Sequence, residues 1–275
     1  MMNIGIVGLG LIGGSMAKSL NARTNHRILG YDLNKEISSI ARQCGAIDEF
    51  LTRENMNSCS IILIAIPPSA VATWVCDCAP FLSTSAIVID MCGVKQVLAV
   101  KIGSIAREYG FVYVGGHPMA GKEQNGFAAS TENLFVGASM ILTPEKGTPL
   151  PEGLEAFFLS VGFARVLLCS PGEHDRIIAY TSHLGHIISN AYVKSPELRR
   201  CVGFTAGSFR DMTRIACMDE ALWTELFFAN AHFLTIELRN LIENLEKYAD
   251  ALQSQEPERM SALLREGRNL FSEFH

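Results

Sequence analysis

The feature that most constrains the fold is a glycine-rich turn near the amino terminus. Residues 3–20 read NIGIVGLGLIGGSMAKSL, in which an apolar strand at Asn3–Val7 precedes three glycines spaced as G-x-G-x-x-G and a helix from about Leu11. The first glycine of such a turn allows a tight bend, the second lets a pyrophosphate approach the backbone, and the third lets the helix pack on the strand. The N–H groups at the helix N-terminus attract the phosphates. The turn therefore predicts a dinucleotide-binding unit with cofactor contacts at Gly8, Gly10, Leu11, Ile12 and Gly13.

An acidic residue follows the second predicted strand. The segment HRILGYD ends at Asp32, about twenty residues after the last glycine of the turn. A carboxylate at this place accepts hydrogen bonds from the adenosine ribose hydroxyls and repels a 2′-phosphate, which favours NAD over NADP. The alternative is an ordinary α/β turn followed by a surface aspartate. The complete strand–turn–helix–strand context favours NAD as the cofactor.

Further apolar segments extend this unit into a sheet. SIILIAIPP, SAIVIDMCGVK and GFVYVGGHPMAG each read as a buried strand, which is typical of a parallel sheet covered on both faces. GASMILTP and ARVLLCSP predict two more strands, separated by a helix over 154–161. Ligands of open parallel sheets bind outside the carboxyl ends of the strands. The residues at those ends, which we expect to border the cofactor crevice, are Ile66, Pro67, Cys92, Gly93 and His117.

From about Gly172 the strand signals give way to helical ones. The segment EHDRIIAYTSHLGHIISNAYV has apolar residues at helical spacing, and residues 219–252 predict one long helix of about 50 Å. That helix is apolar on more than one face, so we expect it to pack against a second copy of the chain or to be buried within one subunit. We favour a homodimer, because the second half has only about 100 residues. A last helix is predicted from Pro257.

These elements predict an α/β fold in two parts. A Rossmann-type, mostly parallel sheet domain that binds NAD occupies residues 1–171, and an all-helical dimerisation domain occupies residues 172–275. The segment TPEKGTPLPEG reads as a surface loop inside the first domain, because strand-like sequence follows it.

Composition and charge argue against several classes of partner. The formal net charge of −5 disfavours nucleic acid, because binding to a phosphate backbone requires a basic face. No apolar run reaches the roughly 18 residues that a membrane helix needs. The eight cysteines lack paired spacing and no basic segment precedes the apolar amino terminus, so we expect reduced thiols, no secretory signal and a cytoplasmic location. The expected partners are a small-molecule substrate and a second copy of the chain.

Polar side chains interrupt the predicted helical half at two places. His183 and His186 are three residues apart, and so are Asp211 and Arg214, which puts each pair on one helix face. The histidines could be core residues or could bind a metal, although no third ligand is apparent. Arg214 could form a surface ion pair with Asp211, which would contribute about 0–1 kcal/mol. These residues alone leave the alternatives open, and we predict no metal site.

Four segments, taken in order, resemble the prephenate dehydrogenase family. They are GGHPMAGKEQNG, LFVGASMILTP, TSHLGH and FRDMTRIA, with Trp223 following, and together they span nearly the whole chain. The H-P-M-A-G-x-E part is the most specific. The sequence has no segment resembling the chorismate mutase extension, so it is most similar to the short, monofunctional members.

The resemblance implies roles for individual residues. His117 would bind the substrate's C4 hydroxyl and act as the catalytic histidine, and Arg214 would bind a substrate carboxylate. The other candidate substrate contacts, near the substrate side chain, the mouth of the site or the dimer interface, are His183, His186, Glu123, Asp211 and Trp223. Many family members have D-x-G-S-V-K, with a serine that hydrogen-bonds the catalytic histidine, but this chain has DMCGVK with Gly93 at that place. The group that orients His117 is therefore not predicted.

The reaction that the resemblance implies is NAD-dependent oxidative decarboxylation of prephenate to 4-hydroxyphenylpyruvate in tyrosine biosynthesis. Hydride passes from C4 to NAD, and an imidazole with a pKa of about 6.5 is suited to accept the hydroxyl proton. Arogenate dehydrogenase is the nearest alternative. A β-hydroxyacid dehydrogenase is disfavoured, because the only lysine of the first helix in the second half is Lys194, at its far end. A non-catalytic NAD sensor would not need His117, His186 and Arg214 together.

Overall fold

The first part of the chain forms one eight-stranded sheet in the computed structural model, which describes residues 1–274. The strands are β1 Asn3–Val7, β2 Arg27–Tyr31, β3 Glu49–Phe50, β4 Ile61–Ile64, β5 Ile87–Asp90, β6 Val112–Pro118, β7 Ser139–Pro144 and β8 Arg165–Leu168. Their order across the sheet is β3-β2-β1-β4-β5-β6-β7-β8, and all neighbours are parallel except β6 and β7. The prediction of a mostly parallel, Rossmann-type sheet is confirmed.

Helices cover both faces of this sheet. They are α1 Leu11–Arg23, α2 Lys35–Gln43, α3 Pro68–Cys78, α4 Gln96–Tyr109 and α5 Leu154–Val161. Because strand side chains alternate between faces, Ile61 and Leu63 of β4 join one apolar cluster with α1 and α5, whereas Ile62 and Ile64 join the other with α3 and α4. The uninterrupted apolar sequence of β4 therefore reflects burial on both sides.

The glycine turn between β1 and α1 has the conformation that the motif requires. Gly8 has a φ of 83°, and a Cβ atom added there would overlap the carbonyl oxygen of Ala65. A Cβ on Gly13 would overlap the carbonyl oxygen of Gly8. Gly8 thus allows a left-handed bend close to the backbone that follows β4, and Gly13 allows a close approach of α1 to the turn, which no other residue type would permit.

Residues from Pro171 onward form a helical part. The helices are α6 Pro171–Ile178, α7 Gly185–Tyr192, α8 Gly207–Thr213, α9 Glu220–Ala229, α10 Ala231–Gln253 and α11 Pro257–Phe274. A π-helical segment, Ala179–Leu184, joins α6 to α7, and its Leu184 packs with Leu234 of α10 in a small apolar core. Among the helices of residues 1–274, none is long and apolar enough to cross a membrane.

The prediction of one long helix over 219–252 is wrong, because the chain bends at Asn230. This residue lies between α9 and α10 with φ −116° and ψ 23°, outside the helical region. Its side chain is buried, and its amide nitrogen donates to the main-chain oxygen of Asp175 at 2.8 Å. This tertiary hydrogen bond fixes the bend where the sequence has neither glycine nor proline.

The sheet and the helical part meet close to the predicted boundary. The last strand, β8, ends at Leu168, and α6 begins at Pro171. The division into domains at residue 171 stays a prediction, and the final residue of the predicted second domain, His275, lies outside the described residues.

Candidate active site

The glycine turn and Asp32 form a cradle at the carboxyl edge of the sheet. A Cβ added to Gly10 would meet no atom within 4 Å, so the backbone there is open to a ligand. Asp32 follows β2, and its carboxylate accepts the N–H groups of Leu9 at 2.8 Å and Asn34 at 2.9 Å. These hydrogen bonds hold the carboxylate against the turn, where a ribose would lie beside it.

The ends of β4 and β5 bring the other predicted cofactor residues to the same edge. Ile66 and Pro67 follow β4, and the buried Sγ of Cys92, after β5, lies 3.5 Å from the main-chain oxygen of Ile66. Gly93 faces the imidazole of His117, because a Cβ added to Gly93 would lie 3.8 Å from Nε2. A side chain at position 93 would thus contact this ring, as the family pattern implies.

His117 lies in β6, opposite Ile141 of the antiparallel β7. Its Nδ1 is 2.8 Å from Nε2 of His174, and the two ring centroids are 5.0 Å apart at 60°. His117 also lines a cavity of about 940 Å³. The strand therefore places this residue between His174 in the protein interior and the cavity.

His174 and Asp175 occupy the first turns of α6 and are both buried. The N-terminus of α6 is well defined by its sequence: Pro171 is the first helical residue, and the N-cap Ser170 accepts the N–H of Glu173 at 3.2 Å through its hydroxyl. His174 Nδ1 lies 2.7 Å from Asp175 Oδ1. The start of α6 thus delivers a histidine and a carboxylate to the back of His117.

The Asp175 carboxylate is also tied to the start of α4. Its Oδ1 accepts the N–H of Lys95 and its Oδ2 accepts the N–H of Gln96, each at 2.8 Å. A carboxylate at this place is favourable, because the first N–H groups of a helix lack partners and carry a partial positive charge.

A fully buried ion pair lies beside this carboxylate. Lys95 Nζ contacts Asp90 Oδ1, and the hydroxyl of Tyr113 donates to Asp90 Oδ2 at 2.7 Å. Burial raises the pKa of Tyr113 well above its usual range, and Asp90 adds to this shift, so the hydroxyl stays protonated as a donor. The pair places two opposite charges near the histidines without adding net charge.

Burial keeps the two paired histidines neutral. It lowers the pKa of His117 well below its usual range, and the neighbouring His174, Lys95 and His183 lower it further. Burial also lowers the pKa of His174, although the hydrogen bond to Asp175 opposes that shift. At neutral pH both rings are therefore uncharged, and His117 is free to accept a proton.

The cavity in front of His117 is lined by both parts of the chain. Its walls are the loop 118–125, the turn of helix around Ser182 and His186, and the segment 214–223. Of the predicted substrate contacts, Glu123, His186, Arg214 and Trp223 line it. Asp211 is exposed on α8 and does not line it.

His186 and Trp223 form a stacked wall of this cavity. Their ring centroids are 3.7 Å apart at 30°, and His186 Nδ1 donates to the main-chain oxygen of Ser182 at 2.9 Å. Burial lowers the pKa of His186, so its Nε2 carries a free lone pair at neutral pH. His183 lies behind Trp223 and is buried, with Nδ1 3.3 Å from the amide nitrogen of Asn230.

Arg214 follows α8 and extends into the cavity. Its Nη1 lies 3.9 Å from Glu123 Oε1, and both side chains are about two-thirds exposed. The ion pair with Asp211 that the sequence allowed is thus replaced by a loose pair with Glu123. Such exposed pairs contribute little, so the guanidinium remains available to an anionic ligand.

Sequence reasoning missed the residues behind His117, namely Asp90, Lys95, His174, Asp175 and Asn230. The segment SPGEHD gave one usable signal, because His174 and Asp175 lie four and three residues before the buried Ile178, on the same face of α6. Within residues 1–274, no group of three or more His, Cys, Asp or Glu side chains could hold a metal ion.

Comparison with known proteins identifies the family. Residues 16–162 match the family described as prephenate dehydrogenase, nucleotide-binding domain, and residues 170–266 match prephenate dehydrogenase, dimerization domain. The prephenate dehydrogenase of Lactococcus lactis subsp. cremoris is 29% identical over 280 residues, which cover 98% of this chain and 77% of that protein.

Two solved structures are similar over the full chain. The prephenate dehydrogenase from A. aeolicus in complex with hydroxyphenyl propionate and NAD+ is 30% identical with a TM-score of 0.88, covering 100% of this chain and 99% of that one. The arogenate dehydrogenase of Synechocystis is 29% identical with a TM-score of 0.81, covering 100% of both chains. With the glycine cradle and the two-part site, these matches establish that the chain belongs to the prephenate dehydrogenase family and is an NAD-dependent dehydrogenase.

Proposed function

We propose that the chain oxidises and decarboxylates prephenate to 4-hydroxyphenylpyruvate, with His117 as the base. The observation that carries this proposal is a neutral imidazole that lines one cavity together with Arg214 and His186. The substrate is a small ring with two carboxylates and a C4 hydroxyl. One cavity thus offers it a cation, a second imidazole and a proton acceptor.

The cradle fits NAD. Gly10 leaves room for the pyrophosphate, the N-terminus of α1 offers N–H groups, and Asp32 stands where the adenosine ribose would lie. Leu33, which follows Asp32, is exposed and brings no cation for a 2′-phosphate. When bound, NAD+ accepts the hydride that leaves C4 of the substrate.

His117 moves one proton out and back. As hydride leaves C4, the hydroxyl proton passes to Nε2 and the C4–O bond becomes a carbonyl. The carbonyl then draws in the electron pair of the bond between the ring and its carboxylate, CO₂ leaves, and the ring becomes aromatic. The phenolate oxygen takes the proton back from Nε2. The balance is prephenate dianion and NAD+ giving 4-hydroxyphenylpyruvate anion, CO₂ and NADH, with no net proton.

Arg214 and the His186–Trp223 wall orient the ring. A guanidinium can hold a carboxylate through two parallel hydrogen bonds, which fixes the direction in which C4 faces. His186 would contact the substrate side chain. Glu123, which is exposed at the mouth of the cavity beside Arg214, would disfavour excess negative charge there. His183 packs against Trp223 on the side away from the cavity residues, and Asp211 is exposed and does not line the cavity of one chain.

Arogenate is the second candidate substrate, with one observation in its favour. His186 donates through Nδ1 to Ser182, so its neutral ring offers an acceptor at Nε2. An acceptor suits the ammonium of arogenate, whereas a keto acid needs a donor at that place. Arogenate therefore suits the neutral ring of His186, whereas prephenate would need that ring to carry a proton at Nε2.

The deciding assay follows NADH absorbance with prephenate or arogenate and with NAD+ or NADP+. We expect the highest kcat/KM with prephenate and NAD+, and we expect His117→Asn to lower kcat by about 10²-fold or more, because the proton acceptor is lost. Higher kcat/KM with arogenate would make the second candidate the function. Near-normal turnover by His117→Asn at neutral pH would show that another group accepts the proton.

A further inference from the structure

The ring of His117 is held from behind by a buried histidine that is itself held by a buried carboxylate. The distances are 2.8 Å from His117 Nδ1 to His174 Nε2 and 2.7 Å from His174 Nδ1 to Asp175 Oδ1. We propose that His174 and Asp175 are positioning residues that fix His117 as its Nδ1–H tautomer, which leaves Nε2 as the proton acceptor. This inference rests on the proposed role of His117 as the base.

The direction of each hydrogen bond follows from the carboxylate. Asp175 can only accept, so the proton between it and His174 belongs to His174 Nδ1. A neutral His174 then has a lone pair at Nε2, and the proton of the next bond belongs to His117 Nδ1. The remaining nitrogen of His117, Nε2, is left unprotonated, and it is the nitrogen that faces Gly93.

The carboxylate is itself fixed, so the order of protons cannot easily reverse. Its two oxygens accept the N–H groups of Lys95 and Gln96 at the start of α4, and Asn230 donates to the main-chain oxygen of Asp175. A rotated or protonated Asp175 would leave buried N–H groups without a partner, which is unfavourable.

We call the chain of hydrogen bonds from Asp175 through His174 to His117 the relay. The charged groups around the relay favour the same arrangement. Toward His117 and His174 lie Lys95 with its partner Asp90, from β5 and the start of α4, and His183 from the π-helical segment. Lys95 opposes a second proton on either histidine, whereas Asp90 and Asp175 favour one on His174. When His117 accepts the substrate proton, its Nδ1–H bond to His174 becomes charge-assisted and therefore stronger.

Because residue 93 is a glycine, the orientation of the His117 ring depends on the relay. Gly93 brings no side-chain group to Nε2, where the family pattern has a serine. In the part of the chain that the structure describes, the side-chain hydrogen bond of the His117 ring is the one at Nδ1. The orientation of the base thus depends on His174 rather than on the residue after β5.

Two substitutions of similar size separate the relay from simple packing. The amide of a glutamine stands near the place of imidazole Nε2, so His174→Gln keeps an acceptor for His117 Nδ1–H. The amide of an asparagine stands near Nδ1, so His174→Asn keeps the contact with Asp175 and loses the one with His117. We expect His174→Asn to lower kcat by about 10²-fold with KM nearly unchanged, and His174→Gln to lower it by less than about 10-fold.

The pH profile gives a readout that packing alone would not move. Both variants lack the imidazole of position 174, but only the glutamine variant keeps an acceptor for His117 Nδ1–H, which stabilises the protonated form of His117. We therefore expect the acid limb of kcat/KM to lie at lower pH in His174→Asn than in His174→Gln. Equal kcat losses in the two variants with unshifted profiles, or no loss in either, would overturn the proposal.

The tautomer itself can be observed without turnover. Nitrogen-15 NMR of the histidine-labelled protein, which has seven histidines, distinguishes Nδ1–H from Nε2–H rings, and His117→Asn assigns the signal. We expect the Nδ1–H form of His117 in the parent protein and in His174→Gln, and a shift toward Nε2–H in His174→Asn. An Nε2–H ring in the parent protein would disprove the relay. If the tautomers behave as expected but neither substrate is oxidised, the relay stands and the proposed function fails.

Discussion

At the scale of single residues, His117 combines a hydrogen bond to the buried His174 at Nδ1 with a place in the wall of the cavity. Burial holds its pKa well below the usual range, so the ring is neutral throughout the neutral pH range. A lower pKa makes a weaker base, and the charge-assisted bond to His174 partly offsets that loss once the proton arrives. The position in β6 of His117, the proposed base, therefore sets both the pH at which the ring is unprotonated and how tightly it holds a proton.

Arg214 gives a residue-scale prediction that separates binding from chemistry. Arg214→Ala removes the cation of the cavity, and we expect KM for the substrate to rise by about 10- to 100-fold, because a hydrogen bond to a charged group contributes about 1.5–3 kcal/mol. We expect kcat to change less, since the base and the cofactor cradle are untouched. Steady-state kinetics with saturating NAD+ measures both.

Glu123→Gln is the matched control for Arg214→Ala. It removes the loose ion pair at 3.9 Å while keeping the guanidinium, and exposed pairs of this kind contribute little. We expect KM to change by less than about threefold. If Arg214→Ala left KM as unaffected as Glu123→Gln does, the guanidinium would not be the carboxylate-binding group.

The sequence identifies the front of the site better than its back. His117, Arg214, His186 and Trp223 stand in motifs, and the structure brings them to one cavity. His174 contacts His117 across 57 residues of chain, and no local pattern reports such a tertiary hydrogen bond. Asp211 is the reverse case: it stands in a motif, but the structure does not bring it into the cavity of a single chain.

At the scale of elements, the π-helical segment places a neutral histidine inside the helical part. Burial lowers the pKa of His183 to about 4, and its Nδ1 accepts from the amide of Asn230 at 3.3 Å. The ring packs edge-on against Trp223 and Phe227. Protonating it would place a charge in this packed region and remove its acceptor.

This segment predicts a loss of stability in mild acid. In the unfolded chain His183 takes up a proton near its usual pKa of about 6.5, whereas in the folded chain it does so only near pH 4. The neutral ring therefore stabilises the fold at neutral pH, and this contribution is lost as the pH falls. From pH 7 to pH 5 we expect His183 alone to lower the free energy of unfolding by about 2 kcal/mol. Urea unfolding at the two pH values measures the difference.

Two glutamine variants test that assignment. His183→Gln should weaken the pH dependence, because the titrating group is gone, whatever it does to stability at pH 7. His232→Gln changes an exposed histidine at the start of α10 and should leave the dependence as it is. The interpretation fails if the two variants lose the same share of the pH dependence.

Element boundaries were predictable where local chemistry sets them. The helix predicted over 154–161 matches α5, which is flanked by Gly153 and Gly162 in left-handed conformations. The bend at Asn230 was not predictable, because it depends on a hydrogen bond to Asp175, a residue 55 positions away in the chain. Helical periodicity continues through such a bend, so the pattern alone predicts one helix where two are present.

At the scale of the whole molecule, neither part of the chain forms the candidate active site alone. The sheet supplies the cradle and His117, and the helical part supplies Arg214, His186 and the His174 that hydrogen-bonds His117. The helical part also exposes large apolar side chains, among them Phe204 at 88% and Phe228 at 78%. Exposed apolar groups of this size are typical of a surface that another molecule covers, and the match to a dimerization domain points to a second copy.

We therefore predict that the 30.1 kDa chain sediments as a dimer and that Phe228→Asp converts it to a monomer. A carboxylate at the centre of an apolar interface is desolvated without a partner, which costs several kcal/mol per copy. Val100→Asp is the control, because Val100 is 72% exposed on α4 of the sheet part and should tolerate the charge without dissociation. Circular dichroism must show that both variants keep their helices. A parent protein that is monomeric at micromolar concentration would refute the homodimer, and a dimeric Phe228→Asp would place the interface on another face of the helical part.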